Sequence, residues 1–362
     1  MGRQAVRRSQ SMPTATMKAL RKTRPQPGAQ LESVDVPSIG STDVLVRVRA
    51  ASICGTDLHI YGWDHWSASR VHPPMTFGHE FCGVVEKTGD EVSSVRPGDF
   101  VSAEMHVNCG HCRPCRMGQP HVCQNVRIIG IDGDGCFAEF VRIPARNIWK
   151  IDPAIPEHYA AILDPLGNAV HTVTAGEIAG QNVLVTGAGP IGLMAITVAR
   201  ACGCATLLAT ETNAHRRDLA KKMGADEALD PAQPGIVERV RKMTEGGVDV
   251  FLEMSGNPDA IRQGFQMLRQ GGRASLLGIP KDVVTLDLVN DVIFKGATVQ
   301  GIYGRRMFET WVHMTELLKH NRLDLEPLFR ERLPLEKFES AFSLLESGQA
   351  GKVLFYPNGS PR

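Results

Sequence analysis

Four cysteines stand close together in the first half of the chain, at Cys109, Cys112, Cys115 and Cys123. Their Cys-x2-Cys-x2-Cys-x7-Cys spacing is typical of four thiolates that close around one tetrahedral zinc ion. Such a site has no free coordination position for a substrate, and the bound metal contributes folding free energy. The spacing therefore predicts a structural zinc with a lobe of the fold built around it.

A second, more mixed set of metal-ligating residues lies upstream. Cys54 opens the run CGTDLH at residues 54–59, and His79 and Glu80 follow Gly78. Polar residues beside Gly and Pro indicate a fixed loop around a site. One thiolate, one imidazole and one carboxylate can leave a position open on a zinc ion, which then lowers the pKa of a bound alcohol. We predict a catalytic zinc here, with Glu80 either a direct ligand or a support for the ligands.

Composition excludes several classes of function. The chain has 362 residues, a formal net charge of +1 and no basic stripe interleaved with aromatic residues, so nucleic acid is not an expected partner. No run of 18 apolar residues occurs, so we expect no membrane-spanning helix and no membrane partner. Nine cysteines in a long chain, an odd number, favour metal ligation over disulfides, and hence a reducing, cytoplasmic compartment.

Two patterns of secondary structure divide the chain. Short β-like runs separated by Gly and Pro extend from Met17 to about residue 150, which predicts a β-rich domain. After Asp164, apolar strands alternate with helices, as in a parallel, doubly wound sheet. After about residue 305 the pattern is mixed again, and we expect this segment to rejoin the first domain. The predicted domains are 17–165 with 306–362 for catalysis and 166–305 for dinucleotide binding, with the active site in the cleft between them.

The first 16 residues carry three arginines and no acidic residue. We predict a flexible N-terminal extension over residues 1–16. An organellar transit peptide is the alternative, although no amphipathic face is visible.

A glycine-rich loop opens the second domain. Gly187, Gly189 and Gly192 form Gly-x-Gly-x-x-Gly between a predicted strand (182–186) and a predicted helix (191–202). The first glycine permits a tight turn, the second lets the backbone approach a pyrophosphate, and the third lets the helix pack closely. Because strand, helix and a following strand are all present, the motif predicts a dinucleotide site rather than a merely flexible turn.

The next strand ends on an acidic residue. Glu211 lies 24 residues after Gly187, near the offset expected for an acid that accepts hydrogen bonds from the adenosine ribose hydroxyls. An acid at this place repels a 2′-phosphate and favours NAD over NADP, although Arg216 nearby weakens that exclusion. A solvated strand end and an exposed helix charge are the alternatives for these two residues.

The order of these motifs resembles the zinc-dependent medium-chain dehydrogenases over nearly all of residues 17–362. Three segments, at 54–66 (CGTDLHIYGWDHW), 164–172 (DPLGNAVHT) and 301–311 (GIYGRRMFETW), are most similar to the branch of that family that oxidises L-threonine at its 3-hydroxyl. The resemblance implies an α/β fold, with a GroES-like catalytic domain and a Rossmann domain. It further implies NAD, one catalytic and one structural zinc per chain, L-threonine as substrate, and a homotetramer.

The same resemblance implies roles for individual residues. Thr56 and His59 correspond to a relay that passes the substrate proton to solvent. Asp164 corresponds to an acid linked to that relay, and its ligation of zinc stays open. The positions that correspond to cofactor contacts are Gly187, Gly189, Ile191, Gly192, Glu211, Arg216, Leu277, Gly278, Ile279, Ile302 and Tyr303. Sheet core is the alternative for Leu277 and Ile279.

Two other functions remain open at this stage. A zinc dehydrogenase acting on a polyol or diol, such as sorbitol or butanediol, would show the same metal and NAD motifs. A non-catalytic NAD-binding protein would keep the fold and lose a ligand or a relay residue, whereas Cys54, His79, Thr56 and His59 are all present.

Overall fold

A computed structural model describes residues 15–347 and 351–359 of the chain. The predicted extension over residues 1–16 therefore lies, up to residue 14, outside the described part. The first strand begins at Thr16, one residue before the predicted start.

The strands alternate with short helices in the first half of the chain and with longer helices in the second. The strands are β1 (Thr16–Lys22), β2 (Gln30–Asp35), β3 (Asp43–Ser52), β4 (Met75–Thr76), β5 (Glu80–Thr88), β6 (Phe100–Ala103), β7 (His106–Val107), β8 (Arg127–Ile128), β9 (Phe140–Pro144), β10 (Ile148–Lys150), β11 (Asn182–Thr186), β12 (Thr206–Thr210), β13 (Glu227–Leu229), β14 (Val248–Glu253), β15 (Leu268–Leu276), β16 (Thr298–Gly301), β17 (Phe329–Leu333) and β18 (Lys352–Phe355). The α-helices are α1 (Gly55–Gly62), α2 (His65–Arg70), α3 (Arg113–Arg116), α4 (Glu157–Ala160), α5 (Leu163–Val173), α6 (Pro190–Ala201), α7 (Ala214–Lys222), α8 (Ile236–Met243), α9 (Pro258–Met267), α10 (Glu309–Lys319) and α11 (Phe338–Glu346).

The β-rich half of the molecule contains a seven-stranded sheet. Its strands follow the order β10-β6-β5-β3-β18-β17, and β9 pairs with β3. A three-stranded sheet β2-β1-β4 and the antiparallel pair β7-β8 accompany it. Because β18 pairs with β3, the C-terminal segment returns to the sheet of the first half. The domain limits themselves stay a prediction.

The second half contains a six-stranded sheet whose neighbours are all parallel, in the order β13-β12-β11-β14-β15-β16. Strand order reverses at β11, which lies between β12 and β14. Ligands of such sheets bind beyond the carboxyl ends of the strands at this switch point. The parallel sheet and the separate β-rich half agree with the predicted α/β fold class.

One apolar core joins the two halves. The buried helix α5 packs against α6 and α10, and its apolar residues share a cluster with Ala50 and Cys82 of the first sheet and with Val185 of the second. This core places the start of α5, with Asp164, between the two sheets.

Several predicted limits differ from the structure for local reasons. The helix predicted from Ile191 starts at Pro190, because proline suits the first helical position. Within the β-like runs predicted before residue 150, the apolar segment 137–143 forms a strand only from Phe140, because the N–H of Phe137 donates to the carbonyl of Phe77 instead. No helix in the described ranges is long and apolar enough to cross a membrane.

Candidate active site

The four cysteines of the Cys-x2-Cys-x2-Cys-x7-Cys run lie together around α3. The sulfur atoms of Cys109, Cys112, Cys115 and Cys123 all lie within 4.8 Å of one another. Cys112 Sγ is 3.4 Å from Cys115 Sγ and 3.8 Å from Cys123 Sγ. A tetrahedron with zinc–sulfur bonds of about 2.3 Å places its sulfur atoms about 3.8 Å apart. The cysteine geometry therefore fits a zinc ion.

Backbone and amide groups around the cage favour thiolates. The N–H groups of Cys109 and Asn125 donate to Cys123 Sγ, both at 3.3 Å, and they oppose the burial that raises the pKa of this thiol to about 11. Hydrogen bonding from the backbone N–H of His111 lowers the pKa of Cys109 to about 5. Since thiolates are the metal-binding form of cysteine, these donors support ligation.

The second cluster is built by the start of α1 and the start of β5. Cys54 is the N-cap of α1, and its backbone N–H donates to Oδ2 of Asp57 over 2.9 Å. This hydrogen bond fixes the turn that carries the thiol. His79 and Glu80 are buried where β5 begins, and ligand atoms of Cys54, His79 and Glu80 lie within 4.8 Å of one another.

The surroundings of His79 fit a bound cation. Nδ1 of His79 lies 3.6 Å from Oδ1 of Asp57. Within the described residues, both of these buried atoms lack a hydrogen-bond partner. Burial opposes a charge on His79, but Asp57 and Cys54 raise its pKa well above the ordinary value. A histidine that binds a metal usually directs its other ring nitrogen at a carboxylate, and Asp57 offers one.

Glu80 is paired with a lysine from the other end of the chain. Lys352 Nζ donates to Oε1 and Oε2 of Glu80 over 2.9 and 2.6 Å, and both side chains are buried. Lys352 also donates to the carbonyl of Ile53, the residue before Cys54. The carboxylate of Glu80 is thus balanced by a cation of the protein itself, which favours a supporting role over direct ligation.

Asp164 lies in the first turn of α5 and belongs to a buried ionic cluster. Its Oδ2 is 2.8 Å from a terminal guanidinium nitrogen of Arg305, which also pairs with Glu104. Burial raises the pKa of Asp164, although Arg305 opposes that shift. Glu104 further accepts a hydrogen bond from Nε1 of Trp311 over 2.9 Å. Asp164 does not join the 4.8 Å cluster of Cys54, His79 and Glu80, although its charge interacts with that of His79.

The two predicted relay residues lie on one face of α1, three positions apart. Thr56 Oγ1 is 3.8 Å from the sulfur of Cys54. One turn further, the side chain of His59 is 51% exposed, and its Nδ1 lies 2.6 Å from Oδ2 of Asp64. The helix therefore connects the buried cluster with the surface.

The glycine loop has the shape that a pyrophosphate requires. Gly187 has φ +83°, and a Cβ there would lie 2.8 Å from Cβ of Ser255. A Cβ on Gly192 would lie 2.0 Å from the carbonyl oxygen of Gly187, whereas one on Gly189 would meet nothing within 4 Å. The backbone at Gly189 is thus open to a ligand, at the N-terminal end of α6.

Glu211 and Glu253 organise the loops around the glycines. Glu211 is buried at the end of β12, and it accepts hydrogen bonds from the N–H groups of Ala188 and Asn213. Glu253 is buried at the end of β14 and accepts from the N–H groups of Ser255 and Gly256. Ile191 and Arg216 are both partly buried, near the starts of α6 and α7.

The remaining predicted cofactor positions follow β15 and β16. The N–H groups of Leu277 and Gly278 both donate to the carbonyl of Glu253. Ile279 is 89% exposed, so its alternative assignment to the sheet core is wrong. Ile302 is buried and Tyr303 is half-exposed, with its ring centroid 6.0 Å from that of His106. All these residues lie at the carboxyl edge of the parallel sheet.

Sequence reasoning assigned no role to four charged residues of this region, Asp57, Glu104, Arg305 and Lys352. Asp57 and Arg305 stand inside the segments that carry the family resemblance. Lys352 opens an apolar strand, which is an unusual place for a buried cation. Glu104 pairs with Arg305, which is 201 residues away, so the sequence around it gives no sign of that pair.

Comparisons with known proteins agree with this architecture. Two family profiles match, one described as the alcohol dehydrogenase GroES-like domain over residues 40–153 and one as zinc-binding dehydrogenase over residues 190–320. The L-threonine 3-dehydrogenase of Bacillus licheniformis is 50% identical over 342 residues, which cover 94% of this chain and 99% of that protein.

Solved structures show the same fold. A zinc-binding dehydrogenase of Sinorhizobium meliloti 1021 bound to NADP superposes with a TM-score of 0.88 at 30% identity, covering 95% of this chain and 100% of that one. An alcohol dehydrogenase of Escherichia coli CFT073 in complex with NADH has a TM-score of 0.86 at 26% identity, with 94% and 99% covered. The chain belongs to the zinc-binding dehydrogenase family of alcohol dehydrogenases, within the group of the L-threonine 3-dehydrogenases.

Proposed function

We propose that this protein oxidises L-threonine at its 3-hydroxyl to 2-amino-3-oxobutanoate and transfers the hydride to NAD. The observation that carries the proposal is the buried cluster of Cys54, His79 and Glu80 with the Thr56 hydroxyl beside it, at the junction with a dinucleotide-binding sheet. The substrate follows from the 50% identity with an L-threonine 3-dehydrogenase over nearly the whole chain.

Two zinc ions and one NAD have residues that fit them. Cys54 and His79 would hold the catalytic zinc, with Glu80 as ligand or support, and the cage of four cysteines would hold the structural one. When bound, the catalytic zinc supplies a Lewis acid at the substrate hydroxyl, and NAD supplies the hydride acceptor.

Two residues of α1 would then transfer the proton of the substrate hydroxyl to solvent. Thr56, next to Cys54, would accept a hydrogen bond from the substrate hydroxyl and take up its proton while it passes on the proton of its own hydroxyl. His59, half-exposed one turn further along, accepts that proton and releases it to solvent.

Asp164 acts on this relay from the side of the second sheet. Its carboxylate is held by Arg305 at the start of α5. In this position its charge interacts with that of His79, one of the two residues that would hold the catalytic zinc. The Asp164→Asn variant tests the proposed catalytic role of Asp164. It should lower kcat about tenfold or more with little change in zinc content.

The adenosine half of NAD would bind at the ends of β11 and β12. Gly187, Gly189 and Gly192 leave room for the pyrophosphate. Glu211, which accepts a hydrogen bond from the N–H of Ala188, would also accept hydrogen bonds from the ribose hydroxyls. Arg216, Ile191, Leu277, Gly278, Ile279, Ile302 and Tyr303 would complete the cofactor site. A negative charge at Glu211 favours NAD over NADP.

The assembly and the setting of the enzyme form part of the same proposal. The catalytic domain comprises 17–165 and 306–362, and the NAD-binding domain comprises 166–305. The protein is a homotetramer in the cytoplasm, without nucleic acid or membrane as partner. Light scattering after gel filtration measures the assembly directly, and a dimer or monomer would refute the tetramer.

A substrate panel tests the activity. NADH formation is followed by absorbance with L-threonine, L-serine, sorbitol and 2,3-butanediol, with and without a chelator. We expect L-threonine to give the highest kcat/KM and the chelator to abolish turnover. Turnover of a polyol or diol without turnover of L-threonine would refute the proposed substrate, and absence of NADH with every compound would refute an enzymatic role.

A further inference from the structure

The half-exposed histidine of α1 is paired with a carboxylate from the turn that follows. Nδ1 of His59 lies 2.6 Å from Oδ2 of Asp64. The ring of Trp66 stands edge-on to the imidazole, with 6.2 Å between the ring centroids. The carboxylate and the tryptophan ring therefore fix the orientation of the imidazole. Its second nitrogen, Nε2, can bind another group.

Asp64 is itself held in place by two further hydrogen bonds. It is the N-cap of α2, and its Oδ1 accepts from both the N–H and the hydroxyl of Ser67 over 2.9 Å. The Ser67 hydroxyl oxygen also lies 2.6 Å from the carbonyl oxygen of His59, so its single proton is shared between the two acceptors. One carboxylate oxygen therefore caps a helix while the other contacts the histidine.

The turn between α1 and α2 is held in place by contacts with β1. Trp63 ends α1 in the left-handed region, with φ 56°, and its N–H donates to the carbonyl of His59. Lys22, which is fully buried in β1, lies 5.1 Å from the centre of the Trp63 ring and donates to the carbonyl of Tyr61 over 3.0 Å. The position of Asp64 relative to His59 is thus set by packing rather than by a mobile loop.

We propose that Asp64 is a positioning residue for His59. Its carboxylate accepts the Nδ1–H of the neutral imidazole, so that Nε2 carries the lone pair and receives the proton that leaves the active site. This inference rests on the relay role of His59 in the proposed function. A carboxylate that sets the tautomer of a histidine base is an arrangement with a known catalytic effect in other enzymes.

The other charges near this pair come from three elements. Lys22 of β1 contacts Tyr61 and Trp63, and Arg70 of α2 is bonded to Asp132. Asp57 of α1 faces Cys54 and His79. Of the charged side chains with a resolved contact in the described ranges, Asp64 is the one that touches the His59 ring.

The test uses two substitutions that keep the helix cap, because serine and asparagine cap helices about as well as aspartate. Asp64→Ser is too short to reach the imidazole, and Asp64→Asn keeps a polar partner without the charge. Asp152→Ser is the matched control, since Asp152 also accepts a backbone N–H in the same half of the molecule and is exposed. Each variant is made in the wild-type and in the His59→Gln background.

Two readouts are measured on the zinc-loaded enzyme. The first is the tautomer of His59, from ¹⁵N NMR of histidine-labelled protein at alkaline pH without substrate, with His59→Gln to assign the signal. The second is kcat and KM with L-threonine and saturating NAD. In the wild type we expect the Nδ1–H form, and in Asp64→Ser a mixture of the two tautomers.

We expect Asp64→Ser to lower kcat about tenfold and Asp64→Asn about threefold, with KM changed less than twofold, because part of the general-base contribution is lost. In the His59→Gln background and for Asp152→Ser we expect less than a twofold change. An unchanged tautomer, an unchanged kcat, or an equal loss of kcat in the His59→Gln background would overturn the proposal. If the wild type turns over no substrate, the proposed function fails, whereas the tautomer still decides whether Asp64 orients the ring.

Discussion

The ammonium group of Lys352 lies 2.6 Å from Oε2 of Glu80, and both side chains are buried. Burial opposes a charge on Lys352, but Glu80 raises its pKa, so the lysine is a cation at neutral pH. The pair joins β18, near the C-terminus, to the strand that carries His79. The C-terminal segment is in this way part of the candidate active site.

Replacing Lys352 by methionine should destabilise the fold. The change leaves Glu80 as a buried charge without a partner, which costs about 3–5 kcal/mol. Denaturant unfolding of the Lys352→Met variant measures this loss. Adding Glu80→Gln should restore part of the stability, because the orphaned charge is then removed as well. Additive losses in the double variant would show that the two side chains do not interact.

The two cysteine sites should respond differently to substitution. Cys112→Ser should lose about one zinc per chain and about 3 kcal/mol or more of stability, because a structural metal contributes folding free energy. Cys54→Ser should keep the fold while kcat falls on the order of a thousandfold. Metal analysis, thermal unfolding and NADH formation are measured in parallel.

Cys202→Ser is the control for both, since Cys202 is partly exposed and belongs to neither cluster. It should match the wild type in zinc content, stability and rate. Equal loss of stability in the Cys54 and Cys112 variants would contradict the division into a catalytic and a structural site.

Neutralising Glu211 should weaken the preference for NAD. In Glu211→Gln, the ribose hydroxyls lose a charged acceptor and a 2′-phosphate is no longer repelled. We expect kcat/KM to fall about tenfold for NAD and to rise about tenfold for NADP. Asp218→Asn, an exposed acid on α7, is the matched control and should leave both values unchanged. An unaltered NAD to NADP ratio in Glu211→Gln would remove Glu211 from the cofactor site.

Local sequence patterns predicted the fold class and the groups of residues that are close in sequence. The four cysteines fall within 15 residues, and the glycine loop is one turn between a strand and a helix. The spacing of these residues along the chain is therefore enough to predict that they lie together. The predicted ends of helices and strands differ from the observed ones by a few residues where a proline or a competing backbone hydrogen bond sets the boundary.

Charge partners across the fold could not be predicted in the same way. Glu80 and Lys352 are 272 residues apart, and Glu104 and Arg305 are 201 apart. Such pairs form only when two sheets and α5 have packed, and a single sequence gives no sign of which buried acid meets which base. Asp164 shows the same limit, because its ion pair with Arg305, a residue 141 positions away, has no local signal in the sequence.

Lys22 provides a prediction for the dependence of stability on pH. This lysine is fully buried, without a carboxylate among its resolved partners in residues 15–347 and 351–359, and it donates to the carbonyls of Gly28 and Tyr61. Burial lowers its pKa to about 8, whereas a lysine in the unfolded chain has a pKa of about 10.4. Between these two values the unfolded chain binds more protons than the folded protein, so the free energy of unfolding rises with pH.

The Lys22→Met variant lacks this contribution. We expect the wild type to gain on the order of 1–3 kcal/mol relative to Lys22→Met as the pH rises from 7.5 to 10. The quantity compared is the difference in unfolding free energy between the two proteins at each pH, which cancels the titration of the cysteines and tyrosines that they share. Lys87→Met, at an exposed position of β5, is the control and should show no such slope. A difference that stays constant with pH would mean that Lys22 keeps its proton in the folded protein, held by its two carbonyl acceptors and the face of Trp63.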